Sequence, residues 1–427
     1  MAPHPANGPD RVASIMLSWH SLDLVACTTL QTLWAGYGHI CALTARATTA
    51  EAAAHLNQLC GVESSSVGST YPLILKLISP PRESTGHDED EGHLRKMLSY
   101  EVEQYFYSAV VPLLGDDIAV AKCLASTRGM DHGQEGARDL QGLMATVMVD
   151  LRPRFPVAGE KRSVLSPTQV HAALGWLAGF HARSWGLLLP ATRDEYVLPP
   201  LEESRRRRQN ADKESGRGLW LNGGYTYLAT RQKEYASLAR DLDLEWSGAM
   251  CIPPEGSALS VAEMAALFLT PCGRPIESYI HGDVKSENLF TTADGDAVAF
   301  FDFQYVGLGL GVCDLAKLFT CSVPLRLLVD VDEPLPEQLT MCDGESRLLK
   351  RYHACLLQNN DPDLYPWDTF KRHWETALVD WCRFQASWGF WGNTEWLEAR
   401  VRSIIGDQEW RGWLHQNISS RVDGKAI

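Results

Sequence analysis

Between Tyr279 and Phe319 the chain gathers the side chains best suited to chemistry, in the run YIHGDVKSENLFTTADGDAVAFFDFQYVGLGLGVCDLAKLF. Ala293-Asp294-Gly295-Asp296, flanked by two apolar runs, is a hairpin signal. Folding the chain about Asp294-Gly295 opposes positions whose numbers sum to about 589, so Asn288 lies across from Phe301, beside Asp302. An amide and a carboxylate then meet at the open end of the hairpin, with Asp283 one short loop away. Two carboxylates and an amide oxygen on one point form a hard-oxygen site suited to Mg²⁺, which keeps several waters and completes its shell with phosphates. That is a phosphoryl-transfer arrangement, in which positioning and charge neutralisation supply most of the catalysis. A turn rich in Asp and Asn can also serve only its own backbone amides. That reading explains any one of these residues but not all of them at this spacing.

His281-Gly-Asp283-x-x-x-x-Asn288, with Asp302-Phe303 nineteen positions after Asp283, resembles the catalytic and metal-binding segments of the kinase-like small-molecule phosphotransferases. These include aminoglycoside phosphotransferases, choline kinases and the ecdysteroid-kinase-like family. The Asp302-Phe-Gln304 form and the Gly-rich run ending in Asp314-Leu-Ala316 most resemble the last. Upstream, Leu75-Lys76 resembles the strand lysine that holds the α/β-phosphates, and Glu103-x-x-Phe106-Tyr107 the helix supplying its carboxylate partner. Glu101, in the same helical turn, is the rival partner. Val149-Asp150-Leu151 resembles the hinge and Phe180-His181-Ala182 a helix under the catalytic loop.

The resemblance implies an ATP- and Mg²⁺-dependent transfer to a small-molecule hydroxyl. Asp283 would orient the acceptor hydroxyl and take its proton, while Asn288 and Asp302 hold Mg²⁺. Lys76, fixed by Glu103, would neutralise the α/β-phosphates, and Lys285 would reach the γ-phosphate as charge develops. Gly36-Tyr37-Gly38 is the candidate phosphate-covering turn, although a lone G-x-G is often only a turn. His281 is read as orienting the catalytic loop, Asp314 as bracing its backbone, and His181 as a satisfied core histidine. A protein kinase is disfavoured by His-Gly-Asp and Asp-Phe-Gln, and by the lack of Ala-Pro-Glu downstream. An inactive nucleotide-binding scaffold of the same fold is the alternative from another class.

Elements to position these residues are legible in outline. The expected class is α+β, a bilobal protein-kinase-like fold. Residues 1–150 would form an ATP-binding lobe with an antiparallel sheet and one main helix, and residues 151–427 a larger, mainly helical catalytic and acceptor-binding lobe. Leu73–Ile78 is an apolar strand carrying one lysine, followed by an acidic stretch from Arg82 to Glu91 that reads as an exposed loop. A helical pattern covers Leu94 to Leu114, and Met144 to Leu151 is strand-like until Arg152-Pro153 breaks it. Ser166-Pro167 is an N-cap signal with Pro at the first helical position. The helix after it would bury Val170, Leu174, Leu177, Ala178, His181 and Trp185. Residues 201–224, with Arg205-Arg-Arg-Arg208, read as a solvated polar insertion. Trp374, Trp381 and Trp388 share a helical face and read as core, near Asp380 and Arg383 where an acceptor would bind.

Composition excludes other classes. At 427 residues, 45% hydrophobic and 22% charged, the chain is globular rather than disordered. A net charge of −14 argues against a nucleic-acid binder. Its 11 cysteines show no C-x-x-C pair or zinc-ligand spacing. No secretory leader and no membrane-length apolar run stands out, which makes the cytosol the expected location.

Overall fold

Alternation along Thr70–Ile78 sets the plan of the amino-terminal region. Leu73, Leu75 and Leu77 are buried on one face of this strand, and Lys76 and Ile78 on the other. The computed structural model describes residues 8–33, 36–63, 65–80, 90–187, 195–209, 218–331 and 334–423. Most of the acidic stretch after Pro80 lies outside them. The chain divides into two compact units, Met1–Arg154 and Phe155–Ile427.

The first unit runs α1 (Pro9–Ser18), β1 (Leu22–Thr32), β2 (Gly38–Ala47), α2 (Ala50–Cys60), β3 (Thr70–Ile78), α3 (Glu91–Tyr105), α4 (Val111–Leu114), β4 (Cys123–Ser126) and β5 (Met144–Val149). Its antiparallel sheet has the order β1-β2-β3-β5-β4, so β3 is central. Lys76 sits opposite Ile40 on β2 and Thr146 on β5. The inward faces of α1 and α2, including Val12, Met16 and Leu56, join Leu73, Leu75, Leu77 and Val147 in one core. The expected main helix is present: α3 passes through a π-turn, Phe106–Val110, into α4. It lies against the other side of the sheet, where Tyr100 packs with Ile78, Tyr37 and Leu33.

The second unit runs β6 (Val157–Ala158), α5 (Pro167–Ser184), α6 (Pro200–Gln209), α7 (Gln232–Arg240), α8 (Val261–Leu269), β7 (Ser278–Ile280), β8 (Leu289–Thr291), β9 (Val298–Phe300), β10 (Gly307–Gly309), α9 (Val312–Cys321), α10 (Asp343–Leu357), α11 (Trp367–Trp388), α12 (Thr394–Gly406) and α13 (Gln408–Asp423). It is mainly helical, as the expected α+β class requires. Ser166 caps α5 in a reciprocal capping box with Gln169. That helix buries Val170, Leu174, Leu177, Ala178 and His181, while Trp185 lies just past its end, half-buried. No helix among the described residues is long and apolar enough to cross a membrane.

Two expectations are corrected here. The polar insertion is not a loop at its start, because residues 200–209 form α6. Glu203, 2% exposed within α6, accepts from Leu198 N–H and pairs with Arg206 and Arg207 at 2.6 and 2.8 Å. Nor is its far end solvated, since Leu219 and Trp220 are buried. Of the tryptophan stripe, Trp374 and Trp381 are core, but Trp388 is 53% exposed at the end of α11. There it stacks on Phe384 and lies over the Arg231 guanidinium.

Candidate active site

The hairpin register is the one the turn residues imply. Leu289 pairs with Phe300, Phe290 with Ala299 and Thr291 with Val298. Phe301 N–H donates to Asn288 O at 3.0 Å, which seats Asn288 next to the start of Asp302. Asn288 Nδ2 donates to Asp283 O and Oδ2 at 2.8 and 3.0 Å. With its nitrogen so engaged, the amide presents Oδ1, a hard oxygen, at its free end. Asp302 has φ 64° and ψ 58°, the left-handed region that few non-glycine residues adopt and that Asp tolerates better than most. His281 and Tyr305 each feel the charge of both Asp283 and Asp302, so the two carboxylates share one neighbourhood.

Asp283 is held by what precedes it. His281, fully buried, accepts the Asp283 N–H on Nδ1 at 3.2 Å, which leaves the ring proton on Nε2 to donate to Phe301 O at 2.9 Å. Burial holds its pKa below the ordinary histidine value and keeps it neutral. Asp314, on α9 and fully buried, accepts from the N–H groups of His281 and Gly282 at 2.6 and 2.9 Å. His181, from α5, completes that carboxylate at 3.2 Å and bonds Tyr352 through its other nitrogen at 2.7 Å. Burial alone would raise the Asp314 carboxyl; the His181 hydrogen bond and interaction, followed by the Lys317 charge, outweigh it and hold it low. The readings of His281, Asp314 and His181 as structural supports agree with these bonds.

Gly282 has a plain physical reason. Its φ is +83°, and an added Cβ would lie 2.2 Å from Tyr305 O. Any larger residue here, including the arginine of a His-Arg-Asp loop, would push Tyr305 away from the His281–Asp283 segment.

Lys285 is placed beside Asp283. Its Nζ lies 3.0 Å from Asp283 Oδ2 and 3.2 Å from Glu287 Oε1. Burial draws its pKa down, but Asp283 and Glu287 outweigh burial and leave it raised. Sequence reading passed over Ser322, which accepts the Ser286 N–H at 2.7 Å, and Tyr305. Neither carries a spacing signal, because both act through backbone contacts made in three dimensions.

In the first unit, Lys76 Nζ meets Glu103 Oε2 at 2.5 Å, with the residues 9% and 5% exposed. Tyr100, Glu103, Gln104 and Tyr107 form an i, i+3, i+4, i+7 stripe on the α3 side. This stripe lines a pocket with Lys76, Ile78, Met144, Thr146 and Met148, alternate residues of β3 and β5. Glu101 falls off the stripe and is half-buried elsewhere, so Glu103 is the partner. Gly36-Tyr37-Gly38 forms the turn joining β1 to β2, with Leu33 N–H donating to Gly38 O at 2.8 Å. Gly38 has φ +150°, and a Cβ there would lie 2.0 Å from Leu77 O. Tyr37 in this turn is tied to His93 Nδ1 at 2.7 Å, and Lys96 Nζ lies 3.9 Å from its ring centre.

The donor set suits Mg²⁺: Asn288 Oδ1 and the Asp302 carboxylate are hard oxygens. Among the described residues no group of three or more His, Cys, Asp or Glu side chains is arranged to hold a metal. An ion here must therefore draw most of its shell from water and phosphate oxygens.

Comparison with known proteins agrees with the motifs. The phosphotransferase enzyme family, APH, matches residues 141–339. Over those residues the chain is similar to this phosphotransferase family, and the fold is α+β. No curated protein matches the chain in sequence. Among solved structures, an aminoglycoside phosphotransferase in ternary complex with ADP and hygromycin B is 11% identical, covering 93% of this chain and 98% of its own, with a TM-score of 0.41. A macrolide 2′-phosphotransferase from Brachybacterium faecium is 12% identical, covering 98% and 99%, with a TM-score of 0.39. A choline kinase from Cryptosporidium parvum is 12% identical, covering 94% and 90%, with a TM-score of 0.36.

Proposed function

We propose that the protein transfers the γ-phosphate of ATP to a hydroxyl of a small molecule, with Mg²⁺. The observation that carries this is the union of Asp283, Asn288 and Asp302 at the open end of one hairpin, in a segment matched by a phosphotransferase family. Asp283, with a side chain 13% exposed and its loop hung on Asp314, orients the acceptor hydroxyl and accepts its proton. Asn288 and Asp302 hold Mg²⁺, which supplies neutralisation of phosphate oxygens. Lys285, already raised in pKa and poised on Asp283 and Glu287, turns to the γ-phosphate as negative charge develops there. Lys76, fixed by Glu103, neutralises the α/β-phosphates, and the turn at Gly36 and Gly38 covers them.

Residues 305–314 leave no length for an activation segment, because β10 pairs with β7 at once and α9 begins at Val312. That supports a small-molecule acceptor over a protein. The fold has no membrane-spanning helix among the described residues, and a cytosolic enzyme is the reading we adopt. The test is ADP release from ATP across a panel of hydroxyl compounds, with Mg²⁺ present and then removed by chelation. Metal-dependent, acceptor-stimulated release is expected. ATP binding without any turnover would identify the protein as a scaffold.

A further inference from the structure

Beyond the catalytic loop, the second unit contains a narrow pocket lined by Asn222, Thr226, Ile280, Lys317, Asp380 and Trp381, among others. Lys317 is the unusual member. It is only 4% exposed, yet makes no hydrogen bond or ion pair within 4 Å among the described residues. An ammonium carried on so buried a side chain, with little water and no direct partner, favours an anion that can reach it. The one carboxylate lining the pocket is already engaged: Asp380 Oδ1 accepts from Arg383 Nε and Nη2 at 3.2 and 2.7 Å. Arg383 is itself fully buried, and its Nη1 has no partner. Asp380 is taken up by Arg383, and Asp314, one turn back on α9, by His181 and the N–H groups of His281 and Gly282, so Lys317 is left as a cation in the pocket with no direct partner among the described residues. Asn222 and Thr226 add neutral polar groups.

The pocket also adjoins the reacting site. Ile280 lines it and stands three residues before Asp283, a reach of at most about 10 Å of chain. Cys321, one turn beyond Lys317 on α9, feels the charges of Asp283, Lys285 and Lys317 together.

We propose that the phosphoryl acceptor carries a carboxylate, which Lys317 receives in this pocket while the acceptor's hydroxyl lies at Asp283. This rests on the phosphotransferase reading above and narrows its substrate class to hydroxy acids. A monoanion fits better than a phosphate dianion, since a single cation without a direct partner lines the pocket.

The experiment uses the full chain and a series of ω-hydroxy acids of increasing length, each paired with its methyl ester. ADP release with ATP and Mg²⁺ is measured alongside calorimetric binding without nucleotide, for wild type, Lys317→Met and Lys317→Arg. Acids are expected to be preferred over esters in both assays. Lys317→Met should lower kcat/KM and affinity for acids by about 10- to 100-fold, leave esters unchanged and hold or raise Tm. Lys317→Arg should restore part of the preference. Equal binding of acids and esters by wild type overturns the inference, as does an acid preference that survives in Lys317→Met. Acid-selective binding that depends on Lys317, with no ADP release from any pair, would keep the pocket and remove the phosphotransferase reading instead.

Discussion

In the first unit, Lys76 and Glu103 face each other at 2.5 Å, 9% and 5% exposed, between a central strand and one helix stripe. In the second, Lys285 and Asp283 are 3.0 Å apart with side chains 26% and 13% exposed. Asp283 there also accepts from Asn288, and Lys285 also meets Glu287. One is a closed clamp shielded from solvent. The other is an open array in which each charge has two partners and can trade one for a ligand. On the roles we propose, Lys76 only neutralises and needs fixing, whereas Asp283 and its neighbours must exchange partners during the reaction. The rigidity of the second site comes from behind, through Asp314 holding the backbone of His281 and Gly282.

The largest effect expected from this contrast is on catalysis. Asp283→Asn should lower kcat by about 10²- to 10⁴-fold while unfolding near the wild-type midpoint, because the array keeps its other members. A variant with near wild-type kcat on its acceptor would refute the base assignment.

Next comes the support. Asp314→Ala strands two backbone N–H groups and His181 in the interior, and should cost about 3–5 kcal/mol in denaturant unfolding. A loss below about 1 kcal/mol would mean that the loop holds its shape without Asp314, and the contrast would lose its basis.

The clamp should show coupling. Lys76→Met and Glu103→Gln should be non-additive by about 0.5–3 kcal/mol in kcat/KM, the double mutant being little worse than Lys76→Met. Additive losses would show that the pair does not act as a unit in turnover.

The smallest effect is graded by pH. His281 and His373 in the second unit have pKa values lowered by burial, the latter to about 3. Their neutral forms therefore stabilise the fold fully above the unfolded value of about 6.5. As pH falls below that, the unfolded chain takes up protons that the native state refuses, and stability declines down to the folded pKa. Each such histidine adds a slope of up to about 1.4 kcal/mol per pH unit. For His373 the window is pH 6.5 to about 3, and His373→Gln should flatten it in pH-dependent unfolding. An unchanged slope would mean that this ring is protonated in the native state.

Local signals carried far in this chain. Asp294-Gly295 determined the hairpin register and so the meeting of Asn288 with the Asp302 strand, because a short turn leaves one pairing open to its two arms. Ser166-Pro167 determined where α5 begins, since cap and first turn are neighbours in sequence. Period-two alternation put Lys76 on the face opposite Leu75 and Leu77. What needed the tertiary structure was every choice among partners distant along the chain. Glu103 prevails over Glu101 because α3 turns one stripe toward alternate residues of β3 and β5. Arginines expected in a solvated loop fold into α6 because Glu203 is buried with Leu198 N–H and needs their charge. No spacing in the sequence singles out Lys317, which gains its surroundings only where α9, α11 and the 222–227 segment close around it. Composition and spacing state what a side chain can do, but burial and the company of remote residues decide what it is left free to do.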